Sequence, residues 1–247
     1  MSVHPAAQAA QQANASLVGA SPRSLQAIVP AGAVGAEIQE DDALTDLSAG
    51  LYPEERRAIE SASESRRREF AAGRACARSA LAMIGVGTVA IPAGPDGAPE
   101  WPAGMVGSIT HKGSYRAATV ARVGELAGVG IDAELDDALP PGVLASIASA
   151  GEADAVERLL SERPGLAWDR LLFSAKEAAV KAAYPLGLGR AELRSTEIRL
   201  DPTDASFTAR PDFPVTPRTA SSGSRIQGRW LVRGGLLIVA AGARRRK

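Results

Sequence analysis

The sequence predicts an α+β fold built from two comparable subdomains, and three observations carry that reading. Strand-like and helix-like segments recur in both halves of the chain, as they do where helices cover sheets. The 247 residues suffice for one large domain or two small ones with a real core. Aromatic residues make up 4% and hydrophobic residues 45% of the chain, so that core has to be assembled mainly from Ala, Val, Leu and Ile.

Taken in order, residues 1–45 read as a loosely packed or disordered tail. Ala6 to Ala15 is rich in Ala and Gln and lacks an amphipathic stripe to dock it, and Ser21-Pro22 and Val29-Pro30 interrupt the segment after it. Residues 46–128 form the expected N-terminal subdomain. A helix begins at Pro53 with Glu54 and Glu55 in its first turn, where the helix dipole favours acids. A second, from Glu64 to Ile84, ends at Gly85 as a C-cap. Pro92 to Pro102 is a loop; Val106 to Thr110 and Arg116 to Arg122 are strands joined by a turn at Lys112 to Ser114. Residues 129–243 form the second subdomain. Val129 to Ile131 is a short strand ending at an acidic cluster, and helical pieces come next at Val143 to Ile147 and Ala153 to Leu160. The clearest helix runs from Trp168 to Tyr184 and is stopped by Pro185. Strands are expected near Glu197 to Leu200, Ala205 to Ala209, Gly228 to Val232 and Leu236 to Ala240. A surface loop spans 211–224, and 244–247 is a basic tail.

Composition excludes several classes of function. Lys+Arg and Asp+Glu number 28 each, a net charge of zero, which argues against a nucleic-acid binder working through phosphate neutralisation. One cysteine, Cys76, excludes an internal disulfide framework and a cysteine zinc cluster. His4 and His111 are the only histidines, so any metal would be a hard cation held by carboxylates, such as Mg²⁺. The longest apolar run, Gly234 to Ala243, is too short to span a membrane. The N-terminus has no secretory pattern, and a cytoplasmic protein is expected.

The zero net charge conceals segregation. Val123 to Glu157 holds eight acids and no Lys or Arg, whereas Arg66 to Arg78 holds five arginines and one acid. Brought together, these segments would give a cleft with an acidic floor and a basic wall; apart, they are two solvated faces. Within the acidic run, Asp132 and Glu134 are i and i+2 on a strand and point to one side. Two such carboxylates repel unless a cation lies between them, though strand ends also carry acids merely as caps. Glu177 and Lys181 are i and i+4 on the clearest helix, fit to complete a metal site and offset phosphate charge, or to form an ordinary surface pair. Thr110 and His111 stand where a strand enters a turn, where they could meet an anion; His111 would be a phosphate donor or a proton carrier, or incidental. Arg66, Arg67 and Arg74 share one side of the arginine-rich helix, and guanidinium forks suit phosphates as well as they suit solvent.

These pieces occur in an order that resembles the 4′-phosphopantetheinyl transferases, in the larger single-chain branch of the surfactin and enterobactin type (enterobactin synthetase component D-like). The residues that carry the resemblance are Val106-Gly107-Ser108-Ile109-Thr110-His111, Gly130-Ile131-Asp132-Ala133-Glu134, and Trp168-Asp169-Arg170-Leu171-Leu172-Phe173-Ser174-Ala175-Lys176-Glu177 with Lys181. The arginine-rich helix and Trp101-Pro102 fit too, and the likeness runs from Leu51 to Leu200. It implies a pseudo-dimer of two similar subdomains with the active site in the cleft between them. It implies transfer of 4′-phosphopantetheine from coenzyme A to a serine of an apo acyl or peptidyl carrier protein, releasing adenosine 3′,5′-bisphosphate. The chain would act as a monomer, with Mg²⁺ or Mn²⁺ held by Asp132, Glu134 and Glu177. By the same resemblance Glu177, Lys181, Asp132 and His111 would be catalytic, with Glu177 taking the serine proton directly or through a metal-bound water. Arg66, Arg74, Thr110, His111, Asp132, Lys176, Glu177 and Lys181 would bind the coenzyme.

The sequence departs from the family where relatives carry a basic residue before Trp-Pro: Ala93-Gly94-Pro95-Asp96 has none, and Lys112 is the candidate substitute. Ala182-Ala183 and Leu188-Gly189-Arg190 replace aromatics of relatives, which implies a different pantetheine channel or carrier-docking surface. The alternative expectation is a weakened homologue that binds coenzyme A or a carrier without turnover.

Overall fold

Ser63 leaves an extended backbone and its hydroxyl accepts the Arg66 N–H at 3.3 Å, which starts the longest helix among the described residues. The structure is a computed structural model and describes residues 25–39, 47–187, 193–211 and 225–244. In the N-terminal half, α1 (Pro53–Arg57) and α2 (Glu64–Met83) precede a hairpin of β2 (Met105–Lys112) and β3 (Tyr115–Arg122), and β1 (Ala33–Gln39) pairs with β3. The sheet is antiparallel in the order β1-β3-β2. One side of α2 carries Ala75, Cys76, Ala80 and Leu81, and these pack on Ala36, Ile38, Ala118 and Val120 of the sheet. Buried Glu55 ties the surrounding segments together: it accepts from Arg78 at 2.8 Å, from the Ile91 N–H at 2.8 Å and from the Tyr52 N–H at 2.9 Å.

The C-terminal half holds β4 (Gly128–Leu135), α3 (Val143–Ile147), α4 (Ala150–Glu162) and α5 (Trp168–Ala183). Four strands complete it: β5 (Thr196–Asp201), β6 (Ser206–Pro211), β7 (Arg225–Arg233) and β8 (Leu236–Arg244). Their sheet is antiparallel in the order β4-β8-β7-β6-β5. Helix α5 lies across it and buries Leu171, Leu172, Ala175, Ala178, Ala179 and Ala182 against residues such as Ile226, Leu237 and Val239. Trp168 meets Trp230 edge-on, with ring centroids 6.2 Å apart. The expected alanine- and aliphatic-rich core is therefore real, and it permits close approach of helix and sheet.

That approach is closest at β4. A Cβ built on Gly128 would lie 2.0 Å from the Ala182 carbonyl oxygen, and one on Gly130 would lie 1.9 Å from that of Ala178. Two residues on, Asp132 reaches Ser174, and Glu134 reaches Arg170. Strand and helix thus run antiparallel, two residues of β4 matching four of α5. The match is geometric: four helical residues rise about 6.0 Å and two strand residues about 6.7 Å.

The two sheets meet through strands at their edges. The Ser108 hydroxyl of β2 accepts the Ile131 N–H of β4, and the Thr110 hydroxyl accepts that of Ala133, both at 3.1 Å. Edge N–H groups are thereby satisfied without a continuous ladder. A second tie joins β1 to β7, where Arg233 donates two bonds to Glu37, at 3.0 and 2.9 Å. The Tyr115 hydroxyl donates to the same carboxylate at 2.7 Å. Burial, then the neighbouring Glu37 charge, pushes the Tyr115 phenol up, so it stays a donor.

Two expectations need correction. Residues 25–39 are not tail: Leu25–Ala27 is a 3₁₀ turn, and β1 is held by full pairing to β3. Strand β4 continues through the acidic cluster, so Asp132 and Glu134 lie within it. Among the described residues the two sheets have three and five strands. Ala6 to Ala15, Leu188-Gly189-Arg190, 212–224 and 245–247 lie outside the described residues.

Replacing Gly130 by Ala forces strand and helix apart, and we expect a loss of about 3 kcal/mol in urea unfolding. Gly151→Ala on α4 meets open space and is expected to be neutral or stabilising by about 0.5 kcal/mol. Equal effects of the two substitutions would contradict the close approach.

Candidate functional site

Arg170, Ser174, Glu177 and Lys181 are spaced four, three and four residues apart, so they form one stripe along α5. This stripe faces the Asp132 and Glu134 side of β4. The Ser174 hydroxyl, fully buried, donates to Asp132 Oδ2 at 2.8 Å, and Lys181 donates to Asp132 Oδ1 at 2.7 Å and to the Ile131 carbonyl at 3.2 Å. Glu134 Oε2 is met by Lys112 at 2.6 Å, from the β2–β3 hairpin, and by Arg170 at 3.3 Å. Glu177 stands 4.0 Å from Lys181. Burial pushes the Glu177 carboxyl up, Lys181 pulls it back, and the charges of Asp132 and Glu134 push with burial. All three acids therefore lie within electrostatic reach of one another.

The start of α5 is fixed by the acids just after β4. Asp136 accepts the Ala167 N–H at 2.8 Å, Asp169 accepts the Leu139 N–H at 2.8 Å, and Arg170 donates to the Asp137 and Ala138 carbonyls. The acidic run thus serves the helix N-terminus as well as the site.

On the other side stand α2 and the hairpin. Arg66 Nη1 lies 3.0 Å from His111 Nε2, and because a guanidinium only donates, that nitrogen accepts and the ring is held as the neutral Nδ1–H form. Glu69 Oε2 lies 3.4 Å from Arg66 and 3.9 Å from His111 Nδ1. Burial lowers the His111 pKa below the ordinary imidazole value; Glu69 opposes this, and Arg66, Arg116 and Lys181 reinforce it. That Lys181 acts on His111 places the hairpin end and the α5 stripe within one electrostatic neighbourhood.

The structure thus brings together Asp132, Glu134, Glu177 and Lys181, with Arg66 and His111 beside them. It places three other expected residues elsewhere. Lys176 lies on the opposite face of α5, fully buried, donating to Glu152 at 2.8 Å and to the carbonyls of Leu193 (3.1 Å) and Thr196 (2.6 Å). An ammonium has three hydrogens, and all are engaged. Thr110 is buried with its oxygen on the Ala133 N–H, a seam between the sheets. Arg74 is buried over the Phe70 ring at 4.1 Å and donates to the Ile91 carbonyl at 2.6 Å; burial lowers its pKa to about 10. Lys112 faces Glu134, and the Asp96 of the base-free loop accepts from the Tyr184 hydroxyl at the end of α5. Sequence reasoning missed Ser174, Arg170 and Glu69; the first two were legible from their helical spacing to Glu177 and Lys181.

The donor set fits a hard divalent cation in kind: three carboxylates lie within electrostatic reach of one another, and lysine and arginine groups now pair with them. It is not a closed cage, because among the described residues no three or more His, Cys, Asp or Glu side chains are gathered at metal-binding distance. Two cavities, of about 420 and about 410 Å³, are lined by other residues; the first borders Arg56 and Arg67, the second Arg225 and Arg244. No helix of the described residues is long and apolar enough to cross a membrane.

Comparison with known proteins bears on this arrangement. Residues 54–121 match the family described as 4′-phosphopantetheinyl transferase N-terminal domain, and residues 128–228 match the 4′-phosphopantetheinyl transferase superfamily. The chain is 40% identical over 219 residues to 4′-phosphopantetheinyl transferase Svp of Streptomyces mobaraensis, covering 87% of each chain. It is 39% identical over 224 residues to Npt of Nocardia iowensis, a protein of the same description, covering 87% of this chain and 98% of the relative. It is 38% identical over 223 residues to PptT of Mycobacterium tuberculosis, again so described, covering 85% and 96%.

If Lys176 is an internal counter-charge, Lys176→Met leaves Glu152 buried and unpaired. We expect urea unfolding to show a loss of about 3 to 5 kcal/mol, with coenzyme A affinity of the folded protein unchanged. Retained stability with lost coenzyme affinity would return Lys176 to the ligand site.

Proposed function

This chain belongs to the 4′-phosphopantetheinyl transferase superfamily and is an enzyme of that class, and we propose that it loads an apo acyl or peptidyl carrier protein using a divalent metal, Mg²⁺ or Mn²⁺. Transfer of phosphopantetheine from coenzyme A to a carrier protein comes with membership of the class. The metal, the residue roles, a monomeric state and placement in the surfactin- and enterobactin-type single-chain branch are proposals. What supports the residue roles most is the meshing of β4 with α5, which sets Asp132 and Glu134 against Glu177 and Lys181. The cleft between the halves, where this contact faces the β2–β3 hairpin, is the proposed active site.

In the reaction the carrier serine oxygen attacks the phosphorus bearing pantetheine. The bond from that phosphorus to the bridging oxygen breaks, and adenosine 3′,5′-bisphosphate leaves with the electron pair. Asp132, Glu134 and Glu177 would hold the metal, which supplies charge neutralisation to the pyrophosphate when bound. Glu177 would take the serine proton; partial burial and two neighbouring acids raise its proton affinity, which suits a base working near neutral pH. Ser174 would keep Asp132 oriented through its hydroxyl. Lys181 would face the charge that develops on the leaving bisphosphate, and Arg66 and His111 would hold phosphate at the nucleotide end. Arg74, Thr110 and Lys176 support the fold in this reading.

The test is intact-protein mass spectrometry of several apo carrier proteins incubated with the purified protein, coenzyme A and Mg²⁺. The phosphopantetheine mass increment is expected on at least one carrier, and Glu177→Gln should lower the rate by about 10²-fold or more while still binding coenzyme A. A fully active Glu177→Gln variant would remove Glu177 as base, and failure of the wild type on every carrier would overturn the carrier reading.

A further inference from the structure

Arg116 pairs directly with His111 across the β2–β3 hairpin, so the two side chains leave the sheet on the same face. The residue is 6% exposed. Its guanidinium donates through Nη1 to the carbonyls of Gly113 and Tyr115, while Nε has no hydrogen-bond partner. No carboxylate of the described residues lies within ion-pair distance of it, whereas the buried charges of Glu55, Glu37, Asp132 and Lys176 are all paired. Arg74, the other buried arginine without such a pair, feels the Glu55 charge and stacks on Phe70. A buried cation without a counter-ion is costly unless something outside the protein supplies the anion.

The charges facing His111 show what is lacking. Arg66 and Glu69 come from α2, Arg116 from β3 and Lys181 from α5; three cations oppose one carboxylate, and Lys181 is already held by Asp132. We propose that Arg116 is an electrostatic positioning residue whose unpaired charge, behind His111 and Arg66, draws a phosphate group of the donor nucleotide to the hairpin end of the site. The inference rests on coenzyme A as the donor. With so little exposure Arg116 does not have to touch the phosphate, since a full charge in a poorly solvated setting acts over several ångströms. The phosphate belongs either to the nucleotide's monoester or to its pyrophosphate, and dephospho-coenzyme A, which lacks the monoester, separates the two.

The experiment uses the full chain as wild type, Arg116→Gln and Arg116→Lys, with calorimetric titration by coenzyme A and by dephospho-coenzyme A, thermal unfolding, and NMR titration of His111. Arg116→Gln should bind coenzyme A about tenfold more weakly, with an unchanged or higher melting temperature because an uncompensated buried charge is gone. Arg116→Lys should retain most of the affinity. Without ligand, the His111 pKa should rise in Arg116→Gln as one repelling charge is removed. A loss confined to coenzyme A identifies the monoester, and a loss shared by dephospho-coenzyme A identifies the pyrophosphate. Unchanged affinity in Arg116→Gln overturns the proposal, as does a loss that accompanies a lowered melting temperature and is not recovered by lysine. Failure of the wild type itself to bind coenzyme A would instead overturn the donor assignment.

Discussion

Everything in the site depends on how closely β4 can lie against α5. Gly128 and Gly130 have no side chain because the carbonyl oxygens of Ala182 and Ala178 occupy that space. With the helix drawn in, the next two residues on the same strand face, Asp132 and Glu134, arrive opposite Ser174 and Arg170. The glycine of the Gly-Ile-Asp motif and its aspartate are therefore one device. The glycine sets the distance, and the aspartate uses it.

A second consequence concerns charge. The acids of β4 are neutralised from both halves of the protein: Lys181 and Arg170 come from α5, and Lys112 comes from the hairpin. Ser108 and Thr110 hold that hairpin strand to β4 through backbone N–H groups. The seam therefore fixes where Lys112 and His111 stand relative to the carboxylates. Buried Glu37, gripped by Arg233 and Tyr115, ties the halves together at a separate point. The net charge of zero is thus the sum of local oppositions, one of which lies at the contact of β4, α5 and the hairpin.

Much of this was legible in the sequence, for physical reasons. Helices α2 and α5 announced themselves through length and through a glycine cap or a proline stop at the C-terminal end. Asp132, Glu134, Glu177 and Lys181 were legible because strand and helix spacing fixes which side chains share a face. Strand β1 escaped because Ala33 to Gln39 is short, rich in Ala and Gly, and held by long-range pairing to β3 rather than local propensity. Lys176 was misplaced although its helical neighbours Leu172 and Ala179 are buried; a lysine on that face needs an internal carboxylate, and Glu152 is distant in sequence. Thr110 was read as an anion contact together with its neighbour His111, at the point where the strand enters its turn. Alternation sends the two side chains to opposite faces of β2, and Thr110 goes to the seam. Arg74 lies on the stripe of its helix, and only tertiary packing shows that the loop carbonyls of Ile91 and Pro92 claim it.

The central claim is that the contact of β4 and α5 is where a divalent cation and the donor pyrophosphate meet. Electron paramagnetic resonance of Mn²⁺ with the full chain, with and without coenzyme A, tests it without any turnover. The wild type should bind Mn²⁺ more tightly when coenzyme A is present, and Asp132→Asn should lose at least tenfold in Mn²⁺ affinity, about 1.4 kcal/mol. Equal Mn²⁺ binding by wild type and Asp132→Asn, with no response to coenzyme A, would contradict it.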